Sequence, residues 1–314
     1  MIIKITQYCD QGCWHCMHSC TTQGKHMDLE TYQKALKFAS LITPLKSLSI
    51  SGGEPTEHPE IFAILELALN QQLKDRYLNN RYEVILISNG DFLWKWDKEK
   101  LERLFELLTE HDDFIIQVTS IPGIYRTYEK VKQKLGEIKE EYDIIFDIEK
   151  IMFYDKNLEI IPIGRAKENL KFHPEAFEAR RQGTSCFNMY SVLKSTSING
   201  VGDILSAINY TKANTIHSFC KPMVIETGEI KFGEYQTCST IINLNDHSLD
   251  EITPELFVRQ LKYISGPCGN CVNNQNQRNN LKLIEDVFQP HDIIDVEIEE
   301  TILEQNNKNL LPVK

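Results

Sequence analysis

The sequence predicts an α/β protein built on a parallel sheet. Two observations carry this. Short apolar runs alternate with amphipathic stretches from residue 2 to about residue 154, and four of the runs lead straight into a compact polar motif. Strand–helix–strand alternation at this rhythm implies βα units and parallel strands. Ligands of such sheets bind beyond the carboxyl ends of the strands, which is where the motifs fall.

Taken in order, Ile-Ile-Lys-Ile-Thr at residues 2–6 reads as a first strand. Asp28 is placed to cap a helix from Leu29 to about Leu41, with Leu29, Tyr32, Leu36 and Ala39 at helical spacing and Pro44 marking the end. Leu45 to Ile50 is a strand, and the next helix starts near Pro59 and carries Ile61, Leu65, Ala68 and Leu69. Tyr82 to Ile87 is a strand, and Lys98 to Leu108 a helix with Leu101, Leu104, Phe105 and Leu108 on one side. Phe114 to Val118 is a strand, and Tyr125 to Lys139 a charge-rich helix. Ile144 to Phe146, Ile151 to Tyr154 and Leu158 to Ile161 are further strand candidates. Trp94 and Trp96 read as packing residues.

Composition narrows the function classes. The chain has 314 residues, 41% hydrophobic and 25% charged, enough for one large domain or two ordinary ones. It has no apolar run of bilayer length, and its first strand begins at residue 2, leaving no room for a signal peptide. A cytoplasmic location without membrane contact is therefore expected. A net charge of −11 argues against a broad phosphate-binding surface, hence against a nucleic-acid partner. Nine cysteines in such a chain point to metal or redox chemistry, not to disulfides.

Four of those cysteines lie in Cys9-Asp-Gln-Gly-Cys13-Trp-His-Cys16-Met-His-Ser-Cys20. Thiolates are soft, strong iron ligands, so three on one loop can hold three irons of a [4Fe–4S] cube and leave the fourth open. Two other uses of the run remain open at this point: a zinc site, which usually wants two Cys-x-x-Cys pairs, and a closed cluster with Cys20 as fourth ligand. At the second strand end stands Ser51-Gly52-Gly53-Glu54-Pro55-Thr56, where glycines allow close backbone approach and the carboxylate can accept from an ammonium. Ser88-Asn89-Gly90 follows the third strand and Gln117-Val118-Thr119-Ser120 the fourth. Ile-Pro-Ile-Gly164-Arg165-Ala166 brings a guanidinium, which suits a carboxylate.

Together these motifs resemble the core of the radical S-adenosylmethionine (SAM) enzymes over residues 1–185. The resemblance implies an open, partial (β/α)6 barrel. It implies that Cys9, Cys13 and Cys16 hold a SAM-binding [4Fe–4S] cluster, and that SAM is held by Gly52, Gly53, Glu54, Ser88, Asn89, Ser120 and Arg165, with His15 near the adenine. It further implies reductive cleavage of SAM to a 5′-deoxyadenosyl radical, and an external one-electron donor of the flavodoxin or ferredoxin kind.

Beyond residue 185 the alternation is lost, and Cys186, Cys220, Cys238, Cys268 and Cys271 appear. Thr227-Gly228-Glu229 between apolar runs predicts a hairpin turn. Cys220, Gly233, Cys238 and the later Cys268-Gly269-Asn270-Cys271 resemble the cysteine-rich extension called SPASM, or its shorter form, twitch. That resemblance implies a smaller domain over residues 186–298, with Cys220, Cys238, Cys268 and Cys271 on one auxiliary [4Fe–4S] cluster, and a polar tail over residues 299–314. The same four cysteines would also make a zinc site. Cys186 stands outside the set, as core or as a thiol that donates a hydrogen atom to a substrate radical. Relatives with this extension mostly modify ribosomally made peptides, which implies a peptide substrate; with no leader-binding domain ahead of the first strand, recognition of the precursor by a separate leader-peptide-binding protein or by the chain's own acidic surface is expected. A small-molecule dehydrogenase and a non-catalytic iron–sulfur electron carrier are the alternatives.

Overall fold

The structure, a computed structural model, describes residues 1–43, 47–70, 83–155, 164–169, 172, 192–193, 222–231, 240–253 and 256. The helices are α1 (Leu29–Ser40), α2 (Ile61–Asn70), α3 (Phe92–Lys95), α4 (Lys98–Glu110), α5 (Tyr128–Tyr142) and α6 (Gly164–Asn169). The strands are β1 (Ile2–Thr6), β2 (Ile42–Thr43), β3 (Ser47–Gly52), β4 (Glu83–Ser88), β5 (Phe114–Thr119), β6 (Ile151–Tyr154), β7 (Val192–Leu193), β8 (Met223–Val224), β9 (Glu229–Lys231) and β10 (Thr240–Asn243).

Eight strands form one open sheet in the order β10-β9-β8-β1-β3-β4-β5-β6, and β2 pairs with β7 apart from it. From β8 to β6 every pair is parallel, so β1, β3, β4 and β5 all end at one edge. The hairpin β8–β9 turns at Thr227-Gly228, where Gly228 has φ +81, and β10 extends the sheet antiparallel.

Alternation along each strand separates two faces. Ile3, Ile5, Leu48, Ile50, Val84, Leu86, Phe114, Ile116 and Val118 point to one side and are buried in a core shared with Tyr32, Leu36, Ile61, Leu65, Leu104 and Phe105 of the helices. The other side is mixed: Lys4 and Ser49 are buried, Ser51, Ile85, Gln117 and Thr119 are half-buried, and Met152 and Tyr154 are each 42% exposed. Helices therefore cover the first face. Local signals fix the helix starts: Asp28 accepts from the Thr31 amide at 2.7 Å, and Asp97 does the same for Lys100 at 2.9 Å.

Most predicted elements lie where the periodicity put them, with ends shifted by a few residues. Residues 144–146 are a correction. They form a turn after α5, with Ile144 98% exposed, since Phe146 and Ile145 hydrogen-bond back to Tyr142 instead of joining the sheet. Trp94 and Trp96 pack against the core, Trp96 between Phe62 and Phe92. The expected strand at Leu158 to Ile161 lies outside the described residues, as do Cys186, Cys220, Cys238, Cys268, Cys271 and residues 299–314. Among the described residues no helix is long and apolar enough to cross a membrane.

Candidate functional site

The four motifs meet at the carboxyl edge of the sheet. β1 runs into the cysteine loop, β3 into Gly52-Gly53-Glu54, β4 into Ser88-Asn89-Gly90 and β5 into Ser120. Cys9, Cys13 and Cys16 are half-buried, and Cys20 is buried. Burial, together with the nearby Glu54 and the other two thiols, pushes the Cys9 thiol up to about 12. Burial and the Cys16 charge raise Cys13 to about 11, against the pull of the Arg126 and Arg165 guanidiniums. Cys16 is lowered, because it accepts a hydrogen bond from the Cys20 thiol, and Cys20 is raised by the same bond. The Cys20 amide also donates to Cys16 Sγ at 3.4 Å.

Gly52 and Gly53 let one backbone approach another closely. A Cβ on Gly52 would lie 2.3 Å from the Thr6 carbonyl oxygen, and one on Gly53 would lie 2.1 Å from that of Tyr8. The Gly53 amide donates to Thr6 O at 2.7 Å and the Glu54 amide to Tyr8 O at 2.8 Å. The paired glycines thus let the cysteine loop's first residues pack on the β3 turn. Glu54 is fully buried. Its carboxylate accepts from Thr56 Oγ1 at 2.6 Å, Ser88 Oγ at 2.7 Å and the Asn89 amide at 2.8 Å, so it joins the ends of β3 and β4. Burial raises its pKa to about 7 against those bonds.

Ser88 is occupied by the protein itself, giving its proton to Glu54 and accepting from the Gly90 amide at 3.0 Å. Asn89 and Ser120 differ. Asn89 Nδ2 and Ser120 Oγ are buried at the carboxyl edge with no hydrogen-bond partner among the described residues, although Asn89 Oδ1 accepts from the Asp91 amide at 2.8 Å. Buried polar atoms left in this way are costly unless a ligand or water completes them. His15 stacks edge-on against Tyr125, ring centroids 4.7 Å apart. Burial and the three thiols raise the Tyr125 hydroxyl.

Arg165 is bonded to the cysteine loop itself. Its guanidinium donates to Cys13 O at 2.8 Å and Cys20 O at 2.5 Å, and its amide to Cys16 O at 3.0 Å. Two supports of the loop escaped the sequence reading. Arg126 Nη2 donates to Gln11 O. Lys95 bonds Asp10 at 2.8 Å, Glu57 at 2.8 Å and Asp91 at 3.0 Å. Asp91 Oδ2 also accepts from Gln11 Nε2 at 2.5 Å. No local signal marks these residues, since each meets the loop only across the fold.

Among the described residues, no group of three or more His, Cys, Asp or Glu is gathered as a single metal ion would need. A cubane takes each thiolate on a different iron, so it does not need that closeness. Three thiols on one loop, flanked by two guanidiniums and by unsatisfied donors at Asn89 and Ser120, fit a SAM-binding cluster.

Residues 3–147 match the family model described as Radical SAM superfamily. None of the curated proteins compared matches it. Similar solved structures include BtrN in complex with AdoMet and 2-DOIA, at 16% identity over 82% of this chain and 83% of that one, TM-score 0.43. Native anSMEcpe with bound AdoMet is 16% identical over 80% of this chain and 79% of its own, TM-score 0.42. Streptococcus suis SuiB bound to S-adenosylmethionine is 12% identical over 79% of this chain and 64% of its own, TM-score 0.43.

Proposed function

We propose that this chain is a radical SAM enzyme that cleaves S-adenosylmethionine and uses the resulting 5′-deoxyadenosyl radical to take a hydrogen atom from its substrate. The observation that carries the reading is the gathering of Cys9, Cys13 and Cys16 on one loop at the sheet's carboxyl edge, beside the unsatisfied Asn89 and Ser120. When bound, a [4Fe–4S] cluster would supply the electron for cleavage.

The residues divide the work. Cys9, Cys13 and Cys16 bind iron as thiolates; with Cys9 and Cys13 raised by burial, loading releases their protons. Asn89 Nδ2 and Ser120 Oγ are donors suited to SAM's carboxylate or ribose oxygens. Glu54 Oε2 accepts only the Asn89 amide among the described residues, so it keeps acceptor capacity for SAM's ammonium. Gly52 and Gly53 act through the loop they seat. His15, packed on Tyr125, is assigned to the adenine.

The proposed substrate is a ribosomally made peptide. Support for it is the sequence pattern of Cys220, Cys238, Cys268 and Cys271, which would hold one auxiliary cluster, with Cys186 as a hydrogen donor. An external one-electron donor and a separate leader-binding protein complete the reading.

The test is anaerobic reconstitution with iron and sulfide, followed by SAM and a reductant. About eight irons per chain are expected, with 5′-deoxyadenosine formed and then lost in Cys13→Ala. About four irons with cleavage intact would remove the auxiliary cluster. No cleavage by fully loaded, reduced protein would overturn the enzyme reading.

A further inference from the structure

We infer that Arg165 is a positioning residue of the cysteine loop: it fixes the run from Cys13 to Cys20 from across the fold and sets the charge that a bound cluster meets. This rests on the cluster-binding reading above.

The observations are geometric. One side chain spans the loop, with Nη1 on Cys13 O at 2.8 Å and Nη2 on Cys20 O at 2.5 Å. The same residue's amide reaches Cys16 O at 3.0 Å, so Arg165 touches the backbone of three cysteines. Its neighbours on α6 press on the same run. Gly164 has φ +55, and a Cβ there would lie 2.3 Å from Met17 O. Asn169 Nδ2 donates to Trp14 O at 3.5 Å. Between Cys13 and Cys20 the loop's own backbone bonds are long: the Cys16 amide to Cys13 O at 3.3 Å and the Ser19 amide to Cys16 O at 3.5 Å. The Cys20 amide donates to Cys16 Sγ at 3.4 Å, and Ser19 has a left-handed φ of 52.

Chemistry explains why an arginine serves here. A guanidinium presents several donors in a rigid fork and stays charged, so it can bridge two carbonyls that a lysine would meet one at a time. Among the described residues no carboxylate pairs with Arg165, so its charge is left to face the thiolates. A fixed positive charge beside a cluster favours the more negative, reduced form and so raises its potential.

Two readouts on the full chain test this without turnover. The first is amide hydrogen exchange over residues 9–21 in metal-free protein. Arg165→Met is expected to speed exchange there by about tenfold or more and to leave α2 and α4 unchanged. Arg165→Lys, which keeps the charge but not the fork, should be intermediate. The second is the midpoint potential of the reconstituted cluster before SAM is added. It is expected to move negative in Arg165→Met and to be largely restored in Arg165→Lys. If exchange or midpoint is unchanged and only SAM binding weakens, Arg165 is a cofactor ligand and the inference is overturned. If Arg165→Met does not fold, Arg165→Lys and Asn169→Ala carry the exchange test, and unchanged exchange in both overturns it. Faster exchange in a chain whose wild type takes up no iron would keep the clamp and remove the cluster reading instead.

Discussion

The two halves of the cysteine loop are held by different means. Residues 6–9 are fixed by backbone. Thr6 O and Tyr8 O take the Gly53 and Glu54 amides, the Gln7 amide donates to Lys25 O at 2.8 Å, and the Cys9 amide donates to Thr21 O at 3.0 Å. Residues 10–20 are fixed mainly by side chains that arrive from elsewhere: Lys95 and Asp91 after β4, Arg126 after β5, and Arg165 and Asn169 of α6. Backbone ladders leave little freedom and depend on small residues at the contact. Side-chain supports carry charge, so they shape the electrostatics of the site as well as its form, and they respond to salt and pH.

Substitution should expose this asymmetry. The largest effect is expected from Gly53→Ala. Its new Cβ would meet the Tyr8 carbonyl at 2.1 Å, and because the neighbour is backbone the strand or loop must move. A loss of about 3 kcal/mol is expected from such overpacking, read as a lower denaturation midpoint with poorer iron uptake. A loss below about 0.5 kcal/mol would mean the backbone half is looser than its hydrogen bonds imply.

Glu54 sharpens the comparison through pH. Its carboxyl is raised by burial from 4.5 to about 7. Between those values the folded protein binds more protons than the unfolded chain. The stability this confers is therefore complete below about 4.5 and is lost as pH rises through about 7. The shift corresponds to about 3 kcal/mol. Glu54→Gln should remove that slope, so wild type minus variant stability falls across this window in denaturant titrations. A flat difference would show that the Thr56, Ser88 and Asn89 donors outweigh burial.

Lys95→Met should cost less, about 1–2 kcal/mol, because the lysine side chain is 28% exposed and solvent screens its pairs with Asp10 and Glu57. Burial opposes the charge on Lys95, yet the bonds to Asp10, Glu57 and Asp91 hold its pKa above the ordinary value. The cost should shrink as salt is raised from low to high concentration, whereas that of Gly53→Ala should not. Equal salt dependence in the two variants would erase the distinction between the halves. The smallest effect, under about 1 kcal/mol, is expected for Arg126→Ala, whose side chain is exposed and gives the Gln11 carbonyl one bond. Its readout is exchange at Gln11 and Gly12.

What the sequence determined by itself is local. Short apolar runs between amphipathic stretches place β1, β3, β4, β5 and β6, because a strand of a parallel sheet can be built from a continuous apolar run. Asp28 and Asp97 mark helix starts, because a cap acts on an amide three residues away. The position of each motif after a strand puts them on one edge. Ile144 to Phe146 shows where this fails: an apolar run too short to carry a period is a strand only if a neighbour takes it, and here none does.

Tertiary structure alone decided how each motif residue is used. Ser88 and the glycine pair read as ligand contacts in a linear sequence, but Ser88 gives its hydroxyl to Glu54 and the glycines receive a chain that left them more than forty residues earlier. Arg165 reads as a partner for a carboxylate, and its guanidinium holds carbonyls 145 and 152 residues away. Hydrogen-bonding groups take whichever acceptor the packed fold sets within about 3 Å. Sequence reveals which donors a chain carries; only the assembled sheet edge determines which acceptors they meet.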